Sequence, residues 1–362
     1  MDHQLVELSM ELTNSCPLAC VHCSSGSSPK VLPNELVYAE HLDVLMQARE
    51  LGATVLSLSG GTPLNYDPLD QPHGLVSLVR KAMSIGYKEV LIYVTGQSLY
   101  GKHIYAYPDI DGLLGFDAVR WILSLHSNDF STNDRIMRRN GALSEIMLSA
   151  RWLKEREETI EVHMVPMRPN FRDISGVRSL CADLGVSKMS CLRFVPQTRG
   201  KEHEYELGMN KAEFSEMQFI IHQEFVKNGS HPVELRLGCP IDFRHAIGIL
   251  DEKRKPCHAG NDLILVRPQG NVHPCAAWKS LPVDSNVRKT RLKDIWEHSQ
   301  VFNGIRSFKV SGYNTVGGVC SSCNMLHSCL TGCPAQRLHA ADATDMSSLY
   351  LPTSDPLCPR GD

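Results

Sequence analysis

The chain has 362 residues, with 37 Lys and Arg against 40 Asp and Glu, and 42% of its residues are hydrophobic. This length is enough for roughly two domains with a buried core, and the composition excludes a mainly disordered chain. The near-neutral charge, without a basic block, is untypical of proteins that bind nucleic acid through its phosphates. Since no run of about 18 apolar residues and no secretory signal occurs, we expect a cytoplasmic protein without membrane contact.

Strand-like and helix-like runs alternate in the first half of the chain. The predicted elements, in order, are strand 6–12, helix 35–51, strand 54–59, helix 74–85, strands 89–95 and 119–125, helix 144–157, strand 161–167, helix 174–184 and strand 189–195. Such alternation predicts an α/β fold with a parallel sheet of right-handed βα units. Six units favour a partial (βα)6 barrel of the TIM type over a complete eight-fold barrel.

Two further regions follow the predicted barrel, which we assign to residues 1–197. Residues 198–236 are polar and helical in pattern, as in a bridge between domains. Residues 237–362 contain short strands, many turns and most of the cysteines. Because this last region is poor in long periodic runs, we expect bound metal to contribute to its folding more than a large core does.

The cysteines are the unusual feature of the composition. There are 13, and seven of them fall in two short windows, 16–23 and 320–333. An odd number in a chain without an export signal is typical of a reducing compartment, where clustered thiols bind metal or take part in catalysis. A scatter of ordinary buried thiols would not produce these two windows.

The first window is Cys16-Pro-Leu-Ala-Cys20-Val-His-Cys23, in the loop after the first predicted strand. Three thiolates at this spacing can hold one face of a 4Fe–4S cubane and leave one iron open for another ligand. Zinc is the alternative, with His22 as a fourth ligand. His22 lies directly beside Cys23, however, and is poorly placed to close a tetrahedron with it.

This motif, followed by Ser59-Gly60-Gly61-Thr62-Pro63 after the second strand, resembles the radical S-adenosylmethionine (radical SAM) superfamily. The resemblance implies that Cys16, Cys20 and Cys23 bind a 4Fe–4S cluster whose open iron chelates S-adenosylmethionine. It also implies that the turn at Gly60, Gly61 and Thr62 contacts the methionine amino group. Thr62 stands where the family usually has Glu, which leaves a role for the backbone intact.

The same resemblance suggests further contacts with S-adenosylmethionine. His22, just before the third cysteine, corresponds to the residue that touches the adenine. Ser124, at the end of the fourth strand, corresponds to a serine near the ribose, although a strand-end serine bonded to nearby backbone is the alternative. Arg138 is the candidate for an assisting arginine, because Met137 occupies the position where the family usually has one.

The second array resembles, member by member, the seven-cysteine pattern of the SPASM extension of radical SAM enzymes. Its members are Cys257, Cys275, Cys320, Cys323, Cys329, Cys333 and Cys358. The resemblance implies two auxiliary 4Fe–4S clusters, and therefore three clusters in all. Cys257, Cys275 and Cys333 would hold the nearer auxiliary cluster, and the other four cysteines the distal one. A zinc ribbon built from the 320–333 window is the alternative, but it leaves Cys257, Cys275 and Cys358 unexplained.

The nearer auxiliary cluster needs a fourth ligand, for which Cys239 is the candidate. Without it, that cluster would have an open iron able to bind substrate. Cys181 and Cys191 then remain as buried thiols.

The resemblance implies an enzyme that reductively cleaves S-adenosylmethionine to a 5′-deoxyadenosyl radical and abstracts hydrogen from a substrate. The expected substrate is a ribosomally made precursor peptide, modified by crosslinking, epimerisation or backbone splicing. The alternatives are a small molecule, a protein such as a sulfatase, or a non-catalytic iron–sulfur electron carrier. Sulfatase-maturing relatives have an acidic base after the second SPASM cysteine, where this chain has Ala276.

Two protein partners are expected besides the precursor peptide. A flavodoxin or ferredoxin-type reductant would supply electrons. Because only a few residues precede the first strand, we expect a leader, if used, to bind either a separate leader-recognition protein or the bridge of this chain directly.

Overall fold

A computed structural model describes residues 3–66, 68, 71, 73–97, 103–238, 257–343 and 345–358. The strands are β1 (Glu7–Thr13), β2 (Val55–Gly60), β3 (Glu89–Val94), β4 (Val119–Ser124), β5 (Ile160–Met164), β6 (Lys188–Cys191), β7 (Glu234–Leu237), β8 (Leu263–Val266) and β9 (Val272–His273). The helices are α1 (Tyr38–Glu50), α2 (Gly74–Ser84), α3 (Phe130–Met137), α4 (Ala142–Lys154), α5 (Ile174–Asp183), α6 (Arg199–Glu202), α7 (Glu204–Leu207), α8 (Lys211–Val226), α9 (Leu292–His298), α10 (Gln300–Val310), α11 (Leu326–Cys329) and α12 (Pro334–Ala340).

The described strands form one open sheet in the order β7-β6-β5-β4-β3-β2-β1-β8-β9. All neighbours in it are parallel except β8 and β9. The predicted α/β fold with a partial barrel is therefore confirmed. The carboxyl ends of β1 to β6 lie at one edge of the sheet. In barrels of parallel strands, the active site lies at this edge.

The sheet is larger than the six strands predicted. The end of the predicted helical bridge is β7, in which Leu235 is buried and pairs with Met189 of β6. At the other side, β8 of the cysteine-rich region pairs in parallel with β1. Four-residue strands leave too short a pattern to identify from sequence, and pairing with an existing sheet edge stabilises them.

The two faces of the sheet have different chemistry. On β1, Leu8, Met10 and Leu12 are fully buried in the main apolar core. The opposite face is polar, and there the Ser57 hydroxyl donates to Glu7 over 2.6 Å. This polar face lines the inside of the partial barrel, so it leaves room for chemistry where a complete barrel would be filled with branched side chains.

Aromatic side chains from separate strands meet on this polar face. The rings of Tyr93 on β3 and His163 on β5 are 5.2 Å apart, although β4 lies between their strands. In a flat sheet, strands separated by a third are about 9.5 Å apart. The side chains of β3 and β5 therefore converge across β4 inside the barrel.

The cysteine-rich region has helices and an apolar cluster of its own. Trp278, Ile305 and Phe308 are buried in that cluster, together with Cys320 and Cys333. The expected short strands are present as β8 and β9, and α9, α10 and α12 add apolar faces to them. None of the helices in the described parts of the chain is long and apolar enough to cross a membrane.

Candidate active site and metal centres

The first cysteine window forms a loop at the carboxyl end of β1. The loop is anchored at both sides, since the Cys16 N–H donates to the Ser28 carbonyl over 2.8 Å and the Val21 N–H donates to the Ile136 carbonyl over 2.9 Å. Cys16 is buried, whereas Cys20 and Cys23 are partly exposed. The window therefore lies at the barrel mouth, with part of its surface open.

The three thiols of this loop are close enough to interact electrostatically. Burial, with a smaller contribution from the neighbouring Cys23, raises the pKa of Cys16 to about 12. Burial also raises the pKa of Cys20, with contributions from Cys16 and Cys23. Such thiols stay protonated without metal, and thiolate formation requires a bound cation to stabilise it.

The predicted turn after β2 packs directly against this loop. The Gly61 N–H donates to the Thr13 carbonyl over 2.7 Å, and the Thr62 N–H donates to the Ser15 carbonyl over 2.9 Å. Gly60 has a φ of +119°, and a Cβ on it would lie 2.4 Å from the Thr13 oxygen. The glycines therefore allow β2 to approach the backbone that leads into the cysteine loop.

Thr62 places a buried hydroxyl without a partner at this turn. The residue is fully buried, and its Oγ1 makes no hydrogen bond to the described residues. An unsatisfied buried hydroxyl costs free energy, so its presence here is notable. It marks the turn as a position where a bound polar group would be stabilised.

His22 contacts His126, which lies two residues after the end of β4. The rings of His22 and His126 meet edge to face with centroids 4.4 Å apart. Burial, followed by the charge of Arg199, lowers the pKa of His22 to about 4, so its ring is neutral. Ser124 is partly buried at the end of β4 and pairs in register with His163, and its role toward the ribose stays a prediction.

Arg138 lies at the end of α3, and its side chain points to the bridge. It is exposed and donates to His203 Nε2 over 2.7 Å. Its assignment to S-adenosylmethionine therefore stays a prediction, with no contact to the cysteine loop. Met137 is buried and its sulfur accepts from Asn133.

An arginine that the sequence analysis missed contacts the cysteine loop instead. Arg199, at the start of α6, donates to the carbonyls of Cys20 and Ser27 over 3.2 and 2.8 Å. Its neighbour Thr198 donates from its hydroxyl to the Cys23 carbonyl over 2.9 Å. These residues lie more than 170 positions from the loop, at separations of 172 to 179, so only the fold brings them together.

A second missed group connects the loop to the cysteine-rich region. Glu11, on the polar face of β1, is buried and pairs with Arg267 over 2.9 Å and with Lys279. Lys279 also donates to the hydroxyl of Ser25, two residues after Cys23, over 2.8 Å. The sequence signal for this group was a Glu at an inward-facing position of a strand. Its partners could not be identified from sequence, because they lie in the segment after β8.

The structure brings the seven cysteines of the second array into two groups of neighbouring thiols. Burial, followed by the charges of Cys257 and Cys333, raises the pKa of Cys275, so these three thiols are neighbours. The other four line one small cavity together with Asp355. They are Cys320, Cys323, Cys329 and Cys358.

The remaining cysteines divide into two kinds. Cys239 lies outside the described residues. Cys181 and Cys191 are fully buried in the main core, as expected for structural thiols. None of the described cysteines forms a disulfide.

The donor geometry bears on the kind of metal group. Among the described residues, no three His, Cys, Asp or Glu side chains are arranged to hold a single metal ion. A cubane cluster presents separate irons to separate thiolates, which suits groups of neighbouring thiols in apolar surroundings.

Comparison with known proteins agrees with this geometry. Residues 10–174 match the family model of the radical SAM superfamily, and residues 257–324 match SPASM, described as an iron–sulfur cluster-binding domain. The chain belongs to the radical SAM superfamily and carries a SPASM domain. It is thus a member of a family of enzymes that use 4Fe–4S clusters and S-adenosylmethionine.

Solved structures of two proteins are similar to the whole fold. Streptococcus suis SuiB bound to S-adenosylmethionine is 18% identical, with a TM-score of 0.75 over 98% of this chain and 77% of that chain. The protein anSMEcpe with bound AdoMet is 14% identical, with a TM-score of 0.67 over 95% of this chain and 94% of that chain. SuiB is also known bound to its precursor peptide SuiA, at 18% identity and a TM-score of 0.74 over 97% of this chain and 76% of that chain.

Proposed function

We propose that this radical SAM protein is an enzyme that modifies a ribosomally made precursor peptide. The observation that carries the proposal is the combination, in one chain, of an interacting thiol trio at the barrel mouth and two further thiol groups in the SPASM region. An electron carrier has no need of a loop that leaves one iron open beside a polar barrel interior. We therefore favour an enzyme over a carrier.

In this proposal, Cys16, Cys20 and Cys23 hold the first cluster. Together, such a cluster and S-adenosylmethionine supply a 5′-deoxyadenosyl radical that abstracts hydrogen from substrate. The turn at Gly61 and Thr62 receives the methionine end, with the unpartnered Thr62 hydroxyl available to it.

The adenosine end of S-adenosylmethionine would lie across the mouth of the barrel. The neutral ring of His22 offers an apolar surface for the adenine, and Ser124 at the end of β4 is the proposed contact of the ribose. Arg199 fixes the loop backbone, and the barrel walls limit the access of water. Arg138 stays a weaker proposal, because its side chain is held by His203.

The two thiol groups of the SPASM region are proposed to hold the auxiliary clusters, for a total of three. Cys257, Cys275 and Cys333 would hold the nearer one, with Cys239 as its fourth ligand. Auxiliary clusters suit a reaction in which the substrate radical afterwards loses an electron. The domain limits 1–197, 198–236 and 237–362 stay a proposal. Strands from all three regions share one sheet, because β7 and β8 join the barrel strands.

A pocket beside the strand ends supports a peptide substrate. It has a volume of about 270 Å³ and is lined by residues of all three regions, including Phe194, Tyr205, Asn210, Gln336 and Leu357. Its mixture of aromatic, amide and apolar groups suits side chains of an extended peptide. Ala276 offers no acid or base, which makes a sulfatase substrate the less favoured alternative, and a small molecule remains the other.

The partners and location are proposed from the same features. A peptide substrate calls for recognition of its leader, by a separate protein or by this chain. A flavodoxin or ferredoxin-type reductant would reduce the first cluster. The odd number of cysteines, seven of them in two short windows, suits a reducing compartment, and we propose the cytoplasm.

The first experiment tests radical chemistry without knowledge of the substrate. Anaerobically reconstituted protein is incubated with S-adenosylmethionine and dithionite, and 5′-deoxyadenosine is measured. We expect product from the wild type and from Cys181→Ala, and none from the variant with Cys16, Cys20 and Cys23 all changed to Ala. That triple variant should lose about four irons. A wild type that holds its clusters and forms no 5′-deoxyadenosine would support the carrier instead.

The second experiment tests the substrate class. Short peptides encoded beside the gene are co-expressed with the wild type and with the triple variant, and their masses are compared. A mass change that depends on Cys16, Cys20 and Cys23 supports peptide modification. Active enzyme that leaves every such peptide unchanged would favour a small-molecule substrate.

A further inference from the structure

A buried ion pair joins the barrel to the SPASM region between the two auxiliary thiol groups. Arg193 lies two residues after β6, and its guanidinium donates to Asp355 Oδ1 and to Gln336 Oε1. The side chains of Arg193 and Asp355 are 2% and 1% exposed. They are separated by 162 positions in sequence.

The Asp355 carboxylate touches both thiol groups. Its Oδ2 accepts from the N–H of Cys333, a member of the nearer group, over 2.8 Å. The same residue lines the cavity formed by the four cysteines of the distal group. Its Oδ1 also accepts from the Leu357 N–H over 2.9 Å, beside Cys358.

The guanidinium also interacts with cysteines of both groups. Burial opposes its charge, but Asp355, Cys333 and then Cys329 raise the pKa of Arg193. Charges at such depth are only weakly screened by solvent. A charge here therefore acts on both thiol groups much more strongly than a surface charge would.

We propose that Arg193 and Asp355 are positioning residues that set the reduction potentials of the auxiliary clusters, each in the opposite direction. The inference rests on the proposed function, because it requires clusters in both thiol groups. Reduction adds negative charge to a cluster, so a nearby cation favours the reduced form and a nearby anion disfavours it. Charges and hydrogen bonds around metal ligands tune potentials in this way.

The opposite signs separate this role from a purely structural one. Arg193→Gln removes the cation and should lower the auxiliary potentials, whereas Asp355→Asn removes the anion and should raise them. Asn keeps an oxygen that can accept from the Cys333 N–H. Arg193→Lys keeps the charge, so it should restore a potential near that of the wild type even if the geometry is imperfect.

Potentials are measured on the anaerobically reconstituted full chain by redox titration followed by electron paramagnetic resonance, with iron content determined for each variant. The control is Arg306→Gln, which removes another buried arginine. Arg306 donates to the carbonyls of Gly260 and Trp296 over 2.6 and 2.5 Å, and no cysteine lies among its hydrogen-bond partners in the described residues. We expect unchanged potentials in this control.

Opposite shifts in Arg193→Gln and Asp355→Asn, with recovery in Arg193→Lys, would support the proposal. Shifts of the same sign, or no shift at full iron content, would overturn it. If Arg193→Gln fails to load iron, the sign of the change in reduction potential is decided by comparing Asp355→Asn with Arg193→Lys. A wild type without auxiliary signals would instead refute the proposed cluster content, and cleavage of S-adenosylmethionine by every variant would show that the first cluster is intact.

Discussion

A Cβ placed on Gly61 would lie 1.9 Å from the carbonyl oxygen of Ser15. The turn after β2 and the start of the cysteine loop are thus in contact through backbone atoms, one residue before Cys16. A side chain at position 61 has no space there, and the obstacle is backbone that cannot rotate away. The position of Cys16 therefore depends on glycine in a different strand–turn unit.

Gly61→Ala should displace the cysteine loop and reduce loading of the first cluster. We expect a loss of at least about 2 kcal/mol in the free energy of unfolding, because overpacking against backbone is not relieved by rotamer changes. Gly229→Ala is the matched control, since a Cβ at Gly229 has no heavy atom within 4 Å. Iron content and chemical unfolding measure the effect. Equal stability of the two variants would show that the turn can move away from the loop.

Thr62→Val should separate stability from cofactor binding. Because the Thr62 hydroxyl is buried without a partner, removing it should leave stability unchanged or raise it by about 1 kcal/mol. If the hydroxyl bonds to S-adenosylmethionine, affinity for this cofactor should fall about tenfold. Anaerobic calorimetry measures the affinity, and Thr62→Ser is the control that keeps the hydroxyl. Unchanged affinity in Thr62→Val would remove the side chain from the proposed site.

Glu11→Gln should destabilise the contact between the cysteine loop and the SPASM region. Burial opposes ionisation of Glu11, but Lys279 and Arg267 outweigh it and lower the pKa from 4.5 to about 2. A depressed pKa means that this stabilisation is complete above about pH 5 and is lost as the pH falls toward 2. At neutral pH we expect a loss of about 3 kcal/mol.

Unfolding rates after pH jumps, followed by tryptophan fluorescence, test this pH dependence. The difference between wild type and Glu11→Gln should be largest near neutral pH and shrink in acid. Glu216→Gln is the control, because Glu216 forms an exposed pair with Arg172, and such pairs contribute about 1 kcal/mol or less. A difference that grows in acid would contradict the assignment.

Cys239→Ala should change the spectrum of one auxiliary cluster and abolish substrate turnover, while cleavage of S-adenosylmethionine continues. Cys181→Ala and Cys191→Ala are the comparisons. Burial raises the pKa of both thiols, and neither residue belongs to the cysteine loop or to the two cysteine groups of the SPASM region. They should cost about 1 kcal/mol of stability and leave the spectra unchanged. Unaltered spectra and full turnover in Cys239→Ala would show that this iron is open and is a candidate substrate-binding position.

Local patterns were sufficient for much of the architecture. The strand at 89–95 and the helix at 74–85 were predicted within one residue of β3 and α2, because each has a long apolar period of its own. The spacing of Cys16, Cys20 and Cys23 lies within a single loop, where sequence distance limits spatial distance. For the same reason, Gly60 and Gly61 were recognisable as a turn that needs glycine.

The contacts that complete the site were decided by the tertiary structure. Arg199 reaches the cysteine loop, Lys279 reaches Glu11, and Asp355 reaches Arg193, and in each case the partners are far apart in sequence. A single Arg, Lys or Asp in a sequence carries no information about its partner, because its side chain forms equally good pairs with many others. Four-residue strands such as β7 and β8 are equally ambiguous until an existing sheet edge supplies their hydrogen bonds. The sequence by itself determined the fold class and the thiol groups, whereas the folded sheet alone brought buried charges from distant segments beside those thiols.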